Sequence, residues 1–158
     1  MKTFVIVGGS KGIGKSITKN LLVNNKVINL SRSNPDFTDK NLTSYNYDVL
    51  TQEIPLIDNA DGLVYCPGSI NLKPFKRLTL DDFRNDFEIN VIGAIKAIQA
   101  LIPALSKSES GSIVLFSTVA TSLGMPFHAS VATAKSAIEG LTKSVAADLA
   151  PKIRVNAI

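Results

Sequence analysis

Cysteine is nearly absent from this 158-residue sequence: Cys66 stands alone, so no internal disulfide can form. That usage fits a reducing compartment, and the cytoplasm is the expected location. Histidine is equally scarce, with His128 the only one, and no metal site is expected. No uninterrupted apolar run approaches the ~20 residues that cross a bilayer, so no membrane segment is expected. The N-terminus enters an apolar strand pattern after Lys2 with neither a long apolar h-region nor a small-residue cleavage site, so no secretory signal is expected. Basic residues outnumber acidic ones, 17 to 13, for a formal charge of +4. They are scattered, without a Lys/Arg run or interleaved aromatics, which argues against a nucleic-acid partner. A few well-placed cations answering an anionic small ligand explain the excess more simply. Repeats, low-complexity tracts and interdomain linkers are missing too, and the length suits one domain over 1–158.

What is present is concentrated first at Phe4–Gly14, FVIVGGSKGIG. β-Branched apolar residues up to Val7 stop at two glycines, and Gly12-Ile13-Gly14 opens an amphipathic helical pattern. A buried strand thus feeds a glycine-lined turn at a helix N-terminus. Such a terminus offers unpaired N–H groups and positive dipole, and glycine lets a phosphate come close to the backbone. The simplest ligand is a dinucleotide pyrophosphate; the bland alternative is a tight strand-to-helix turn and nothing more.

Apolar runs and helical patterns alternate along the rest, the signature of βαβ units and a parallel sheet. Strands are expected at Thr3–Val7, Lys26–Leu30, Ser44–Tyr47, Gly62–Cys66, Ser112–Phe116 and Ile153–Ala157. Helices are expected at Gly12–Val23, briefly near Thr51–Ile57, from Leu80 to about Leu105, and over Val131–Leu149. Thr79 and Asp82 read as a capping box, Ser130 as the N-cap of the last helix, and Pro103 as a kink or stop. Ser31–Asn41, polar and holding Pro35, reads as an exposed loop. The last expected strand runs into Ile158 with nothing to cover it, so a C-terminal part of the fold is expected to be missing.

Together these motifs resemble the short-chain dehydrogenase/reductase family, over essentially the whole chain. The glycine spacing Gly8-x-x-x-Gly12-x-Gly14 is similar to the family's, with Val7 where threonine usually stands. The resemblance implies an α/β Rossmann-type fold, a doubly wound parallel sheet with helices on both faces. It implies NAD(H) or NADP(H) as cofactor, a carbonyl or alcohol substrate, and a homodimer or homotetramer. Gly8, Ser10, Gly12, Ile13 and Gly14 would hold the pyrophosphate. The second strand ends in Ser31-Arg32-Ser33, without the carboxylate that would accept ribose hydroxyls and repel a 2′-phosphate. Lys11 and Arg32 instead match the cations of NADP-preferring members, although either alone would pass for a solvated surface charge. NADP(H) is therefore expected over NAD(H). Asp48 and Val49 match the adenine-contacting pair. Tyr65-Cys66-Pro67-Gly68 replaces the family's Asn-Asn-Ala-Gly, keeping only Gly68. Cys66 reads as a small buried hydrophobe.

The resemblance also assigns a catalytic set. Asn90 matches the asparagine that holds a relay water, Thr118 the serine that bonds the substrate oxygen, and Lys135 the lysine that binds the nicotinamide ribose. The tyrosine should stand four residues before that lysine, where this sequence has Val131. Valine cannot exchange a proton. His128 could act as the acid, a water could relay through Asn90 and Lys135, or Thr118 could polarise the oxygen while solvent supplies the proton. The expected function is an NADP(H)-dependent oxidoreductase. The rival is a non-catalytic NADP(H)-binding sensor or partner subunit on the same fold. A third reading is an oligomer scaffold built on the apolar long helix, through Ile92, Ile95, Ile98, Ala100, Leu101 and Ile102.

Overall fold

The computed structural model describes residues 1–158. Six parallel strands form one sheet: β1 (Thr3–Val7), β2 (Lys26–Ser31), β3 (Leu42–Asn46), β4 (Gly62–Tyr65), β5 (Gly111–Leu115) and β6 (Ile153–Ala157). Their order is β3-β2-β1-β4-β5-β6. The chain steps outward from β1 to β2 and β3, then returns to place β4 on the other side of β1. That reversal opens a crevice beyond the carboxyl ends of β1 and β4, where such sheets bind ligands. The register aligns Val7 with both Leu30 and Tyr65, so the residues after all three strands converge there.

Burial on both faces explains why the strands are continuously apolar. Along β1, Val5 and Val7 point into the larger core, while Ile6 points into a smaller one with Leu22, Val27 and Val64. Helix α1 (Gly12–Leu22) covers the smaller core, and α3 (Gly93–Leu105) and α5 (Ala129–Leu149) cover the larger. The remaining helices are α2 (Leu80–Phe87) and a single turn, α4 (Ala120–Leu123). At Thr79 the expected capping box is complete: the Asp82 N–H donates to Thr79 Oγ1 at 3.2 Å, and the Thr79 N–H to Asp82 Oδ2 at 2.9 Å.

Several boundaries differ from expectation. No helix forms over Thr51–Ile57. Pro55 lacks an N–H and disfavours helix in the residue before it. Upstream, Gln52 Oε1 accepts from the Asp48 N–H at 2.6 Å and Asp48 Oδ1 from the Leu50 N–H at 2.9 Å, a local turn that competes with helix. Helix α5 begins at Ala129 after His128, so Ser130 is not its cap; its hydroxyl turns inward. Pro103 lies in the last turn of α3, which ends at Leu105. Between α2 and α3 the chain passes through a π-helical turn, Glu88–Ile92. The whole stretch Leu80–Leu105 is long and apolar enough to span a bilayer by length and composition alone. Half of its apolar window is buried inside the fold, with Ala94, Ala97, Ile98 and Leu101 against the sheet. Of the apolar residues around this helix, Ile98 and Leu101 are thus used by the core and Ile95 and Ile102 pack at its edge.

Candidate functional site

The crevice is a cleft of about 590 Å³, a size that suits a small organic ligand. The turn after β1 supplies Gly8, Ser10 and Lys11, the end of β2 Ser31 and Arg32, the loop after β3 Asp48 and Val49, and the end of β4 Gly68. Gly12, Ile13 and Gly14 form the first turn of α1 behind it. Tyr47, Cys66, Pro67 and Ile89 line it as well.

Two glycines are dictated by geometry. Gly8 sits at φ +82°, which disfavours any side chain. A β-carbon on Gly14 would lie 2.2 Å from the Gly8 carbonyl oxygen, so the helix starts in contact with the turn. Gly12, at φ +54°, has nothing within 4 Å of where its β-carbon would be. No side chain caps α1, leaving its first N–H groups open beside that space. An open glycine cradle at an uncapped helix N-terminus fits a dinucleotide pyrophosphate. Lys11 and Arg32 are exposed and pair with no carboxylate. The loop carrying Arg32 is tied to α1 by Lys15 Nζ to Asp36 Oδ2 at 2.7 Å, and Ser33 Oγ lies 3.2 Å from Ser10 Oγ.

Gly68 marks the other end. A β-carbon there would stand 3.1 Å from Asn90 Oδ1 and 3.6 Å from Lys135 Nζ, so both atoms border one small space. Lys135 Nζ donates to the Phe116 carbonyl at 2.8 Å, and burial holds its ammonium below the usual lysine pKa. Asn90 sits in the π-helical turn. Its Nδ2 donates to the Asp86 carbonyl at 2.8 Å and to Ser69, while Oδ1 is buried without a partner. Buried acceptors are mostly hydrogen-bonded, so an orphan facing this space suits a water or ligand donor.

Thr118 and Ser117 separate cleanly. Ser117 Oγ gives its proton to Glu139 Oε1 at 2.6 Å. Thr118 Oγ1 accepts from the Ala120 N–H at 3.3 Å, which leaves its own O–H free. The His128 ring bonds the Pro126 carbonyl at 2.7 Å. A carbonyl only accepts, so Nδ1 carries the proton. No hydrogen bond joins His128 to Thr118, Asn90 or Lys135. Val131 is buried. Burial pushes the Cys66 thiol up to about 11, consistent with an inert hydrophobe.

Sequence reasoning missed one cluster here. Asp86, one turn before Asn90, is fully buried and accepts from Ser69 Oγ at 2.6 Å, Ser130 Oγ at 2.5 Å and Asn71 Nδ2 at 3.1 Å. An aspartate four residues before the asparagine, on a helix face that must be buried, was the available signal.

With this geometry in place, comparison with known proteins is direct. The sequence profile of the short chain dehydrogenase family matches residues 2–158, and the chain belongs to that family. It is 33% identical over 124 residues to a cyclopentanol dehydrogenase of Comamonas sp., covering 78% of this chain and 48% of that enzyme. With L-xylulose reductase of Bos taurus it shares 28% identity over 167 residues, 98% of this chain and 68% of the reductase. The ligand-free aldohexose dehydrogenase of Thermoplasma acidophilum superimposes with a TM-score of 0.87 at 27% identity, over 99% of this chain and 64% of that one. The chain therefore spans about half the length of the cyclopentanol dehydrogenase it matches.

Proposed function

We propose that this chain is the cofactor-binding part of an NADP(H)-dependent oxidoreductase that interconverts a carbonyl and an alcohol. One observation carries the reading: the cleft holds a glycine cradle flanked by two unpaired cations, and Gly68 at its other end adjoins a half-buried lysine and an orphaned amide oxygen. Gly8, Ser10, Gly12, Ile13 and Gly14 would hold the pyrophosphate, Lys11, Ser31 and Arg32 the 2′-phosphate end, Asp48 and Val49 the adenine, and Lys135 the nicotinamide-side ribose. When bound, the nicotinamide supplies or accepts the hydride.

Thr118 would offer its free hydroxyl to the substrate oxygen. Val131 has no proton to exchange, so the proton must come from elsewhere. Lys135 and Asn90 border one space, and a water donating to Asn90 Oδ1 there would satisfy the orphan acceptor and connect the lysine to solvent. This route has better support than His128, whose Nδ1 proton is committed to Pro126. The homologous dehydrogenases and reductase act on small alcohols or carbonyl compounds by their names, and the same class is proposed for this chain. Self-association would use the outer face of α2 and α5, where Phe83, Phe87 and Thr133 border a groove of about 270 Å³.

A second reading, an NADP(H)-binding sensor or partner subunit without turnover, is favoured by Val131 alone. Paired fluorescence titrations of NADPH and NADH at one salt concentration test the cofactor. A carbonyl panel followed by NADPH oxidation separates the two readings. Tight NADPH binding with turnover supports the enzyme, and binding without turnover supports the sensor. Binding of neither cofactor overturns both.

A further inference from the structure

We propose that Asp86 is a positioning residue that, through Ser69, locks the Asn90 amide in the direction its backbone partners favour. Its carboxylate lies wholly inside the protein, touched by hydroxyl and amide donors and by no cation. Burying such a group is costly, and only a full set of donors offsets it. Those donors come from separate segments: Ser69 and Asn71 from the loop after β4, and Ser130 from the start of α5. Asp86 thus joins, from α2, the segments that carry Gly68, Asn90 and Lys135.

The proton inventory then fixes Asn90. A serine hydroxyl has one proton, and Ser69 gives it to Asp86 Oδ1. Ser69 Oγ can therefore only accept from Asn90, at 3.2 Å. The Asp86 backbone carbonyl, at 2.8 Å, also only accepts. The Ser69 backbone carbonyl, at 3.3 Å, makes the same demand, and the three together place Nδ2 toward Asp86 and Ser69 and turn Oδ1 to the space beside Gly68 and Lys135. An amide at position 86 could instead donate to Ser69, freeing the serine proton to point at Asn90 and setting donor against donor. The carboxylate keeps Ser69 Oγ an acceptor, in agreement with the two backbone carbonyls. Its catalytic meaning rests on the oxidoreductase reading above, whereas the arrangement itself needs neither cofactor nor substrate.

The test follows the Asn90 side-chain amide by ¹⁵N NMR on the 158-residue chain, its signals identified by their loss in Asn90→Asp. In Asp86→Asn the Asn90 amide protons should exchange about tenfold faster, the loss of a hydrogen bond ordered by a charged group. The Asn29 amide serves as the distant control. Unchanged Asn90 shifts and exchange in a folded Asp86→Asn protein overturn the proposal. Should that variant not fold, the serines decide. Ser69→Ala, which removes the hydroxyl between Asp86 and Asn90, should shift and speed the Asn90 amide, and Ser130→Ala, which does not touch Asn90, should leave it in place. Equal effects from the two serines, or none from Ser69→Ala, overturn the proposal, because a merely structural cluster would not distinguish them. Failure of wild-type chain to bind NADPH would instead sink the oxidoreductase reading and leave the amide result standing.

Discussion

The Tyr65 hydroxyl donates to the Ile89 carbonyl at 2.6 Å. A buried tyrosine at the end of β4 thereby engages the π-helical turn one residue before Asn90. Gly93 leaves the room: a β-carbon there would stand 2.2 Å from the same hydroxyl. Burial raises the phenol's pKa far above neutrality, so Tyr65 acts as a fixed donor. Tyr65→Phe should cost about 1–2 kcal/mol, since it removes the hydroxyl that donates to the partly buried Ile89 carbonyl. Urea denaturation measures this, and a midpoint equal to wild type would show that the turn holds itself.

The contact between Gly14 and Gly8 gives a sharper case. A methyl at Gly14 meets backbone oxygen at 2.2 Å, and no side-chain motion relieves it. Gly14→Ala should destabilise by about 3 kcal/mol or more, in the range of severe overpacking. Gly12→Ala meets no atoms, only an unfavourable φ, and should cost about 1 kcal/mol. Thermal melts that rank the two in the opposite order would refute this geometry.

Most of the sheet was legible because buried parallel strands write continuous apolar runs, and the glycine turn because it needs special backbone. Thr79 and Asp82 were legible as a cap for the same local reason. The π-helical turn was not, since its Ile89 carbonyl meets Tyr65 from a strand 24 residues away. No helix forms at Thr51–Ile57, where Pro55 and the turn at Asp48 oppose it. Ser130 looked like a cap on spacing alone, whereas its hydroxyl is taken by Asp86, 44 residues away. Thr118 is legible by its spacing from Lys135, whereas the engagement of Ser117 with Glu139, 22 residues away, is not. Residues whose roles are set by distant partners carry no periodic signal.

Asp61 predicts how stability responds to acid. The Thr3 N–H donates to its carboxylate at 2.8 Å and Ser108 Oγ at 2.7 Å, and with Lys2 and the N-terminus nearby its pKa is lowered. Its unfolded value is about 3.9. A carboxylate with a lower folded pKa stabilises fully above the unfolded value, and that contribution disappears as pH falls through the folded value. Asp61→Asn should therefore melt below wild type at neutral pH, with the gap closing under strong acid. Melting points across that range check the sign; a gap that stays constant would assign the effect to packing rather than charge.

On the proposed reading, Lys11 and Arg32 would carry the cofactor choice. Both border the cleft, and no carboxylate neutralises either one. A 2′-phosphate would meet charge-assisted donors there, with arginine able to bind it bidentately. Arg32→Ala should weaken NADPH about tenfold, as expected for a lost hydrogen bond to a charged group, and should change NADH little. Lys11→Ala should act in the same direction but more weakly, because its exposed point charge is screened by water and salt. Raising the salt concentration should narrow the NADPH preference of the wild-type protein. Equal losses for the two cofactors would place Arg32 on the adenine or in the fold. No loss for either would place the phosphate outside this pair and remove the basis for preferring NADP(H).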